Sequence, residues 1–303
     1  MAYSSVTTHQ FSDPVLTGSI METFRVSATK NENLWKKTLG FEEKTSDRAY
    51  EEFAEFAGLG LAGKREQLSQ AGFDSVKEGY IKRLNQYGYG INMIVSKESL
   101  KFKKYEEAIM GSESVQESLA NTTEILAADV YANAFSTTLG LLPDGYPICS
   151  ASHKTPRGGT FSTTLGSTSF SETGIEAALI QAEKMPGGHG IPVGVKPVGV
   201  VVSPENRFNA KRILKSEQQN WTANNAMNAL KDENLSIGVN RFLASTSNWF
   251  LRTDAKLGLL CIWTERPNIM EVGADLVRGV VYSGNMMLAL DCVNPRVLIG
   301  SSI

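Results

Sequence analysis

The sequence predicts an α+β protein organised around one very long helix, with parts that a single copy of the chain cannot complete. Three observations lead there. Apolar residues recur at helical spacing from about Ser96 to Phe135. A polar, glycine-punctuated stretch with a period near two precedes them at 46–92. From residue 170 onward, helical segments alternate with short apolar strands. A period near 3.6 marks a helix with one buried face, and a period near 2 marks a strand.

Residues 1 to about 45 interleave short apolar pieces (Phe11, Val15, Leu16, Ile20, Met21, Phe24) with polar ones. Short helices are expected at 19–26 and in NENLWKKTLGF (31–41). There is too little apolar surface for an independent core, so this is an arm that lies on something else. AYEEFAEFAGLG (49–60) reads as a strand or a short helix. GKREQLSQAGFDSVKEGYIKRLNQYGYG (63–90) is rich in charge, Gly and Tyr and poor in Leu, Ile and Val. Gly72, Gly79, Gly88 and Gly90 punctuate it like a long hairpin. A hairpin with so little apolar surface is marginal alone. It is either a disordered insert or pairs with another subunit. Tyr80, Ile81, Tyr87 and Tyr89 favour pairing, because aromatics are enriched where proteins meet. The basic pieces here are too short for a nucleic-acid footprint and suit complementary charge at a subunit rim. The candidate subunit-contact residues are therefore Lys64, Arg65, Lys77, Tyr80, Lys82, Arg83, Tyr87 and Tyr89.

INMIV (91–95) reads as a short buried strand, with Ser96 as the N-cap of the long helix and Ser99 as the alternative. Phe102, Tyr105, Ile109, Val115, Leu119, Thr122, Leu126 and Val130 then recur mostly every three or four residues. About 40 residues of helix would be about 60 Å long, against a mean of about 11–12 residues. Gly111 is a candidate break or bend, leaving two collinear helices as an alternative, and Gly140 is a C-terminal stop. There is neither a sustained heptad with flanking charges nor an apolar membrane span, which leaves an extended scaffold.

LPDGYPICSASHKTPRGGTFSTTLGSTSFS (142–171) is a turn-rich polar loop. Loops of this length inside compact domains point to function or to contact between subunits. SETGIEAALIQAEKM (171–185) is a helix capped by Ser171, and VKPVGVVVS (195–203) is a buried strand. PENRFNAKRILKS (204–216) is a helix with Pro204 in its first turn. RFLASTSNWFLRT (241–253) and LGLLCIWTER (257–266) read as strands, and three or four more short ones run to VLIGSSI (297–303).

The bulk numbers exclude several classes. Lys plus Arg is 30 and Asp plus Glu is 32, a formal net charge of -2 with no basic stripe, so tight phosphate binding is not expected. Cys149, Cys261 and Cys292 are odd in number and widely spaced, which indicates reduced thiols rather than a disulfide framework or a zinc site. The N-terminus lacks the basic and apolar regions of a signal peptide, and no window approaches the roughly 20 apolar residues of a membrane span. Nucleotide-binding, hydrolase and metalloprotease signatures are absent. The glycine runs GLGLAG (58–63) and PGGHG (186–190) are not placed between a strand and a helix. With only His9, His153 and His189, neither a metal site nor a cofactor is expected. Cys149 and His153, four apart, are the one pair that resembles a thiol nucleophile with its base; the competing reading is an apolar plug and a turn cap. The carboxylates Glu51, Glu52, Glu55, Glu106 and Glu107 read as solvated faces.

The order of parts resembles the major capsid proteins of tailed bacteriophages, the fold named for phage Hong Kong 97, and within them the Mu-like major head subunits. The residues that carry the resemblance are SDRAYEEF (46–53), INMIVSKESLKFKKYEEA (91–108), SLANTTEILAADVYANAF (118–135), DGYPICSASHKTPRGGTFS (144–162), VGVVVSPENRFNAKRIL (198–214) and NWFLRTD (248–254). Cys149, Thr163 and Thr164 depart from the family's loop pattern. The resemblance implies an N-terminal arm at 1–45 and an extended loop at 46–92. It implies a peripheral domain with a spine helix at 93–169 and 262–303, and an α/β axial domain at 170–261. It further implies hexamers and pentamers of one chain closing an icosahedral shell around packaged double-stranded DNA, without sequence-specific binding and without a membrane. The implied partners are a portal protein, a scaffold or maturation protease, and decoration proteins; no charged helical pro-segment precedes the arm, so a scaffold would be a separate or removed piece. Some relatives cross-link an extended-loop lysine to a neighbour's asparagine with help from a glutamate. Lys77 and Lys82 lie in the corresponding loop, and Asn268, Asn285 and Glu271 in the corresponding domain. The same fold also serves encapsulin-type compartments, which is the alternative role; a Cys149/His153 hydrolase is the alternative from another class.

Overall fold

The computed structural model describes residues 14–30, 33–68, 70–102, 104–218, 227–243, 245–272 and 279–303. Phe11 and His9 of the expected arm lie outside them. The chain opens with helix α1 (Pro14–Lys30), the single turn α2 (Leu34–Lys37) and strand β1 (Glu42–Thr45). Strands β2 (Tyr50–Ala57) and β3 (Lys77–Asn85) form an antiparallel hairpin. Then come β4 (Tyr87–Ser96), α3 (Lys97–Lys101) and α4 (Tyr105–Ala132), and the small pair β5 (His153–Lys154) and β6 (Thr160–Phe161). The rest is α5 (Glu172–Glu183), β7 (Pro197–Val202), α6 (Arg207–Lys215), β8 (Ser236–Val239), β9 (Trp249–Thr253), β10 (Leu259–Val272), β11 (Gly279–Cys292) and β12 (Leu298–Ser301). Two four-stranded sheets result, ordered β1-β10-β11-β4 and β12-β9-β7-β8.

Strand alternation explains how the first sheet is covered. Leu259, Cys261 and Trp263 of β10 face one side, with Tyr282, Met286 and Leu288 of β11, and join the core under α4. Leu260 and Ile262 face the other side with Ala289, and there Leu84 of β3 closes on them, flanked by Phe53 of β2. The sheet thus carries α4 on one face and the base of the hairpin on the other. The second sheet has its own core, built from Val200, Val202, Trp249, Leu251 and Ile299 against Ile175 and Ala178 of α5 and Leu214 of α6.

The arm lies on α4, as its composition implied. Leu16, Ile20 and Phe24, four apart on α1, are buried in the first core. Each such side chain contributes about 1.5–3 kcal/mol of transfer free energy. Asn33 supplies no side-chain cap to α2; instead Glu124 of α4 accepts the Trp35 N–H at 3.0 Å. Trp35 meets Trp263 edge-on at 6.4 Å. Tyr131 of α4 donates to the Leu39 carbonyl at 2.6 Å, and Arg252 of β9 donates to the Thr38 carbonyl at 3.1 Å. The arm is therefore stitched to both sheets.

Several expectations are corrected. The long helix is 28 residues, about 42 Å, and the break lies between α3 and α4 rather than at Gly111. Ser96 does cap, accepting the Ser99 N–H at 3.1 Å, but it caps the short α3. Gly111 sits inside the continuous α4, so it does not break the helix, and a Cβ there would meet the end of the Met93 side chain of β4. The helix ends at Ala132, and Gly140 (φ 65°) belongs to a later turn. The fully buried face of α4 includes Ala108, Ser112, Gln116, Thr123, Glu124 and Ala127, because both α1 and the sheet press on it; Phe102, expected in the stripe, is exposed. INMIV belongs to a ten-residue edge strand in which only Val95 is buried. Residues 241–243 and 245–248 are not strand. The expected short C-terminal strands are one 14-residue strand, β11, plus β12. The boundary drawn at 261/262 falls inside β10, the one at 92/93 inside β4, and β12 pairs in the second sheet with β9.

This packing has two expected outcomes. A Cβ at Gly284 of β11 would collide with Val115 of α4, a β-branched side chain with one favoured helical rotamer; Gly284→Ala lowers unfolding stability in urea by about 1–3 kcal/mol. Burial raises the Glu124 carboxyl against the opposing Trp35 and Leu34 N–H groups, and the net shift is upward. The folded chain then holds this proton more tightly than the unfolded chain. Stability from this group is present below the ordinary carboxylate range and falls as pH rises through the raised value. Urea titrations across pH show that slope flattened by Glu124→Gln, which keeps an acceptor for Trp35, while Glu124→Ala loses about 1 kcal/mol by uncapping α2.

Candidate assembly surface

Period-two alternation gives β2 and β3 one face for the sheet and one for solvent, but their connection has no such division. Phe56, Leu59, Leu61, Leu68, Phe73 and Val76 are all exposed, with Leu68 at 99% and Phe73 at 90%. These apolar side chains make the hairpin's connection a candidate contact surface.

The hairpin that carries this tip is clasped along its length. Lys82 pairs with Asp291 at 2.8 Å and donates to the Leu141 carbonyl at 3.0 Å. Glu55 pairs at 2.9 Å with Arg296, whose Nε donates to the Pro186 carbonyl and whose guanidinium lies 4.5 Å from the Phe161 ring centre. Nearer the tip, Asp74 accepts the Gly60 N–H, a guanidinium N–H of Arg157 and the Ser75 N–H, and these bonds hold its carboxyl well below the ordinary range. Gly79 and Gly188 leave room for Pro156 and Ala57, where a side chain would collide. Between hairpin and body remains a cleft of about 340 Å³, lined by Phe53, Tyr80, Leu257 and Arg296 among others.

The expected contact residues divide. Lys64, Arg65, Lys77 and Tyr87 are exposed. Arg83 pairs with Glu52 at 2.6 Å and lies over Tyr50, and Tyr80 lines the cleft. Lys82 is engaged inside its own chain, and Tyr89 packs on the first core. Sequence reasoning missed the apolar tip itself. Its one signal was isolated Leu and Phe residues in a glycine-rich stretch with no partner period.

The Cys149/His153 pair does not form a nucleophile and base. Cys149 is buried and burial pushes its thiol far up, the opposite of an activated thiolate. His153 is fully buried, with Nδ1 2.7 Å from Asp144 and Nε2 3.1 Å from the Ile148 carbonyl. Burial raises the Asp144 carboxyl, but its bonds with His153 and the Tyr146 N–H outweigh this and the net shift is downward. The trio braces the 142–163 loop under the hairpin. Asn268 and Asn285 bond Glu265 and Ser283, and Glu271 accepts from Thr17. Among the described residues no group of His, Cys, Asp and Glu is arranged to hold a metal, and no helix is long and apolar enough to cross a membrane.

No family model and no curated protein sequence matches the chain. Solved structures do. The capsid of Ralstonia phage GP4 is 14% identical with a TM-score of 0.54, over 86% of each chain. The capsid of the cyanophage P-SCSP1u is 14% identical with a TM-score of 0.52, over 86% of this chain and 85% of that one. A virus-like particle from Pyrococcus furiosus is 11% identical with a TM-score of 0.56, over 94% and 99%. At such identities the likeness establishes the fold alone, and the fold of this chain is the α+β fold of phage major capsid proteins.

Proposed function

We infer that this chain is the major structural subunit of a tailed-phage or prophage head. Copies associate into hexamers and pentamers and close an icosahedral shell around double-stranded DNA. The observation that carries this reading is the clasped hairpin with an uncovered apolar tip, in a chain with this fold. Exposed apolar side chains on a projection of that kind are surface that a neighbour covers. A net charge of -2 suits a container that does not grip its contents. The role is structural rather than catalytic, in keeping with the buried Cys149 and the engaged His153. The reading places the protein in the virion after assembly in the host cytoplasm. A portal protein, a scaffold or maturation protease, and decoration proteins are its partners.

The fold likeness to the Pyrococcus furiosus particle favours one second reading, a compartment of encapsulin type. Its purified particles would hold protein cargo instead of DNA.

Expression of the full chain, followed by sedimentation and negative-stain microscopy, tests the shell. Closed particles tens of nanometres wide are expected; monomers under every condition, even with the neighbouring genes co-expressed, would contradict it. Leu61→Ser with Phe73→Ser abolishes particles while changing subunit unfolding by less than about 0.5 kcal/mol, because both side chains are exposed in the single chain.

A further inference from the structure

The cleft of about 340 Å³ between hairpin and body lies within one chain. One wall is Phe53, Phe56 and Tyr80 of β2 and β3; the other includes Phe161 of β6 and Leu257 in the turn before β10. The volume is at the small end of the range for ligand pockets, about 300–1,000 Å³, and a mostly apolar lining with a few polar groups is their usual make-up. Four aromatic rings around so small a space favour a flat apolar body, which stacks on them or meets them edge-on. Two of the apolar side chains are left open by the chain itself, Phe56 at 64% and Leu257 at 36% exposure. Leu257 also has φ 54°. A leucine in the left-handed region is strained by about 1–2 kcal/mol, and residues held there gather at ligand sites.

The charges around the cleft say what else the occupant carries. Lys82, Lys154, Lys256 and Arg296 line it, against Glu55 and Asp144. Three of these groups are taken up near the floor or walls. Lys82 pairs with Asp291, Arg296 with Glu55, and Asp144 with His153. Lys154 and Lys256 are exposed, and their ammonium groups make no ion pair among the described residues; that of Lys154 lies 5.6 Å from the Tyr146 ring centre. Two accessible, unmatched cations beside an aromatic slot repel a cation and give a neutral ring no polar contact. They suit a ring that bears an anion, through charge-assisted hydrogen bonds.

We propose that this cleft binds a small aromatic carboxylate, its ring among Phe56, Tyr80 and Leu257 and its carboxylate on Lys154 and Lys256. One wall belongs to the hairpin and the other to the body, so the bound molecule is a wedge that holds the two at a fixed angle. A ligand that touches both walls favours the arrangement in which they adjoin, by its difference in affinity between that arrangement and any other. The inference stands on the single chain and holds whether or not the chain forms shells.

The test titrates 2-naphthoate into the full chain, as dissociated subunits, and follows binding by calorimetry. One molecule per chain is expected, with a Kd of about 1 mM or tighter for a ligand of this size. Lys154→Glu with Lys256→Glu, both at exposed positions, weakens binding by on the order of tenfold or more. Leu257→Gly, which suits the positive φ and so keeps the fold, weakens it by about threefold. Leu61→Ser with Phe73→Ser leaves the affinity unchanged, because the exposed tip is not the site. Amide hydrogen exchange of residues 50–57 and 77–85 slows when the ligand is present. Absence of binding by the wild-type chain, full affinity in the double lysine variant, or loss of affinity in the tip variant each overturns the site. Binding that leaves the exchange of the hairpin strands unchanged overturns the wedge.

Discussion

The structure depends on one constraint: α4 must be buried on two flanks at once. The first sheet presses on it through Gly284 and Met286, and α1 presses beside it through Leu16, Ile20 and Phe24. A surface helix of a compact domain buries a single stripe. Here the arc is wider, and its polar members are used as fasteners. Glu124 caps the arm's second helix, and Tyr131 bonds the arm's backbone just beyond it. The arm, the spine and both sheets are therefore one mechanical unit.

A rigid body of this kind gives the hairpin something to be clasped against. Its base closes the second face of the first sheet, and Lys82, Glu55 and Asp74 fix it to β11, to Arg296 and to Arg157. Its far part keeps Leu59, Leu61, Leu68, Phe73 and Val76 exposed, while other exposed apolar residues such as Phe102, Met110 and Phe208 lie elsewhere on the chain. The chain therefore carries apolar surface on a clasped projection that it leaves exposed, which a second copy of the chain would cover.

Much of this was legible in the sequence, for physical reasons that also mark where legibility ended. The Ser171 cap, the Pro197–Val202 strand and the helix after Pro204 are local signals and appear where expected. The hairpin was legible only in part: β3 falls in the 63–90 stretch read as a long hairpin, but its partner is β2, in a segment the sequence left open as strand or short helix. The buried face of α4 was legible in part: Val115 and Leu119 of the expected stripe are buried, but Ala108, Ser112, Gln116 and Glu124 are small or polar and are buried by tertiary packing. Strand β11 is one 14-residue strand where several short ones were expected, and Gly284 within it leaves room for Val115 of α4. Of the exposed tip, Lys64 and Arg65 were picked for charge, while Leu61, Leu68 and Phe73 were overlooked because they carry no period. Tertiary partners, not local propensity, decide each of the positions that were missed.

The central claim is that the clasped tip is completed by a neighbouring copy. Amide hydrogen exchange of residues 58–76, compared between dissociated subunits and assembled particles, tests it most directly. The described residues of the tip have almost no backbone bonding of their own; they exchange quickly in the free subunit, then slow by at least an order of magnitude in the particle as neighbours cover them. Equal exchange in the two states, in particles that are otherwise intact, would contradict the account.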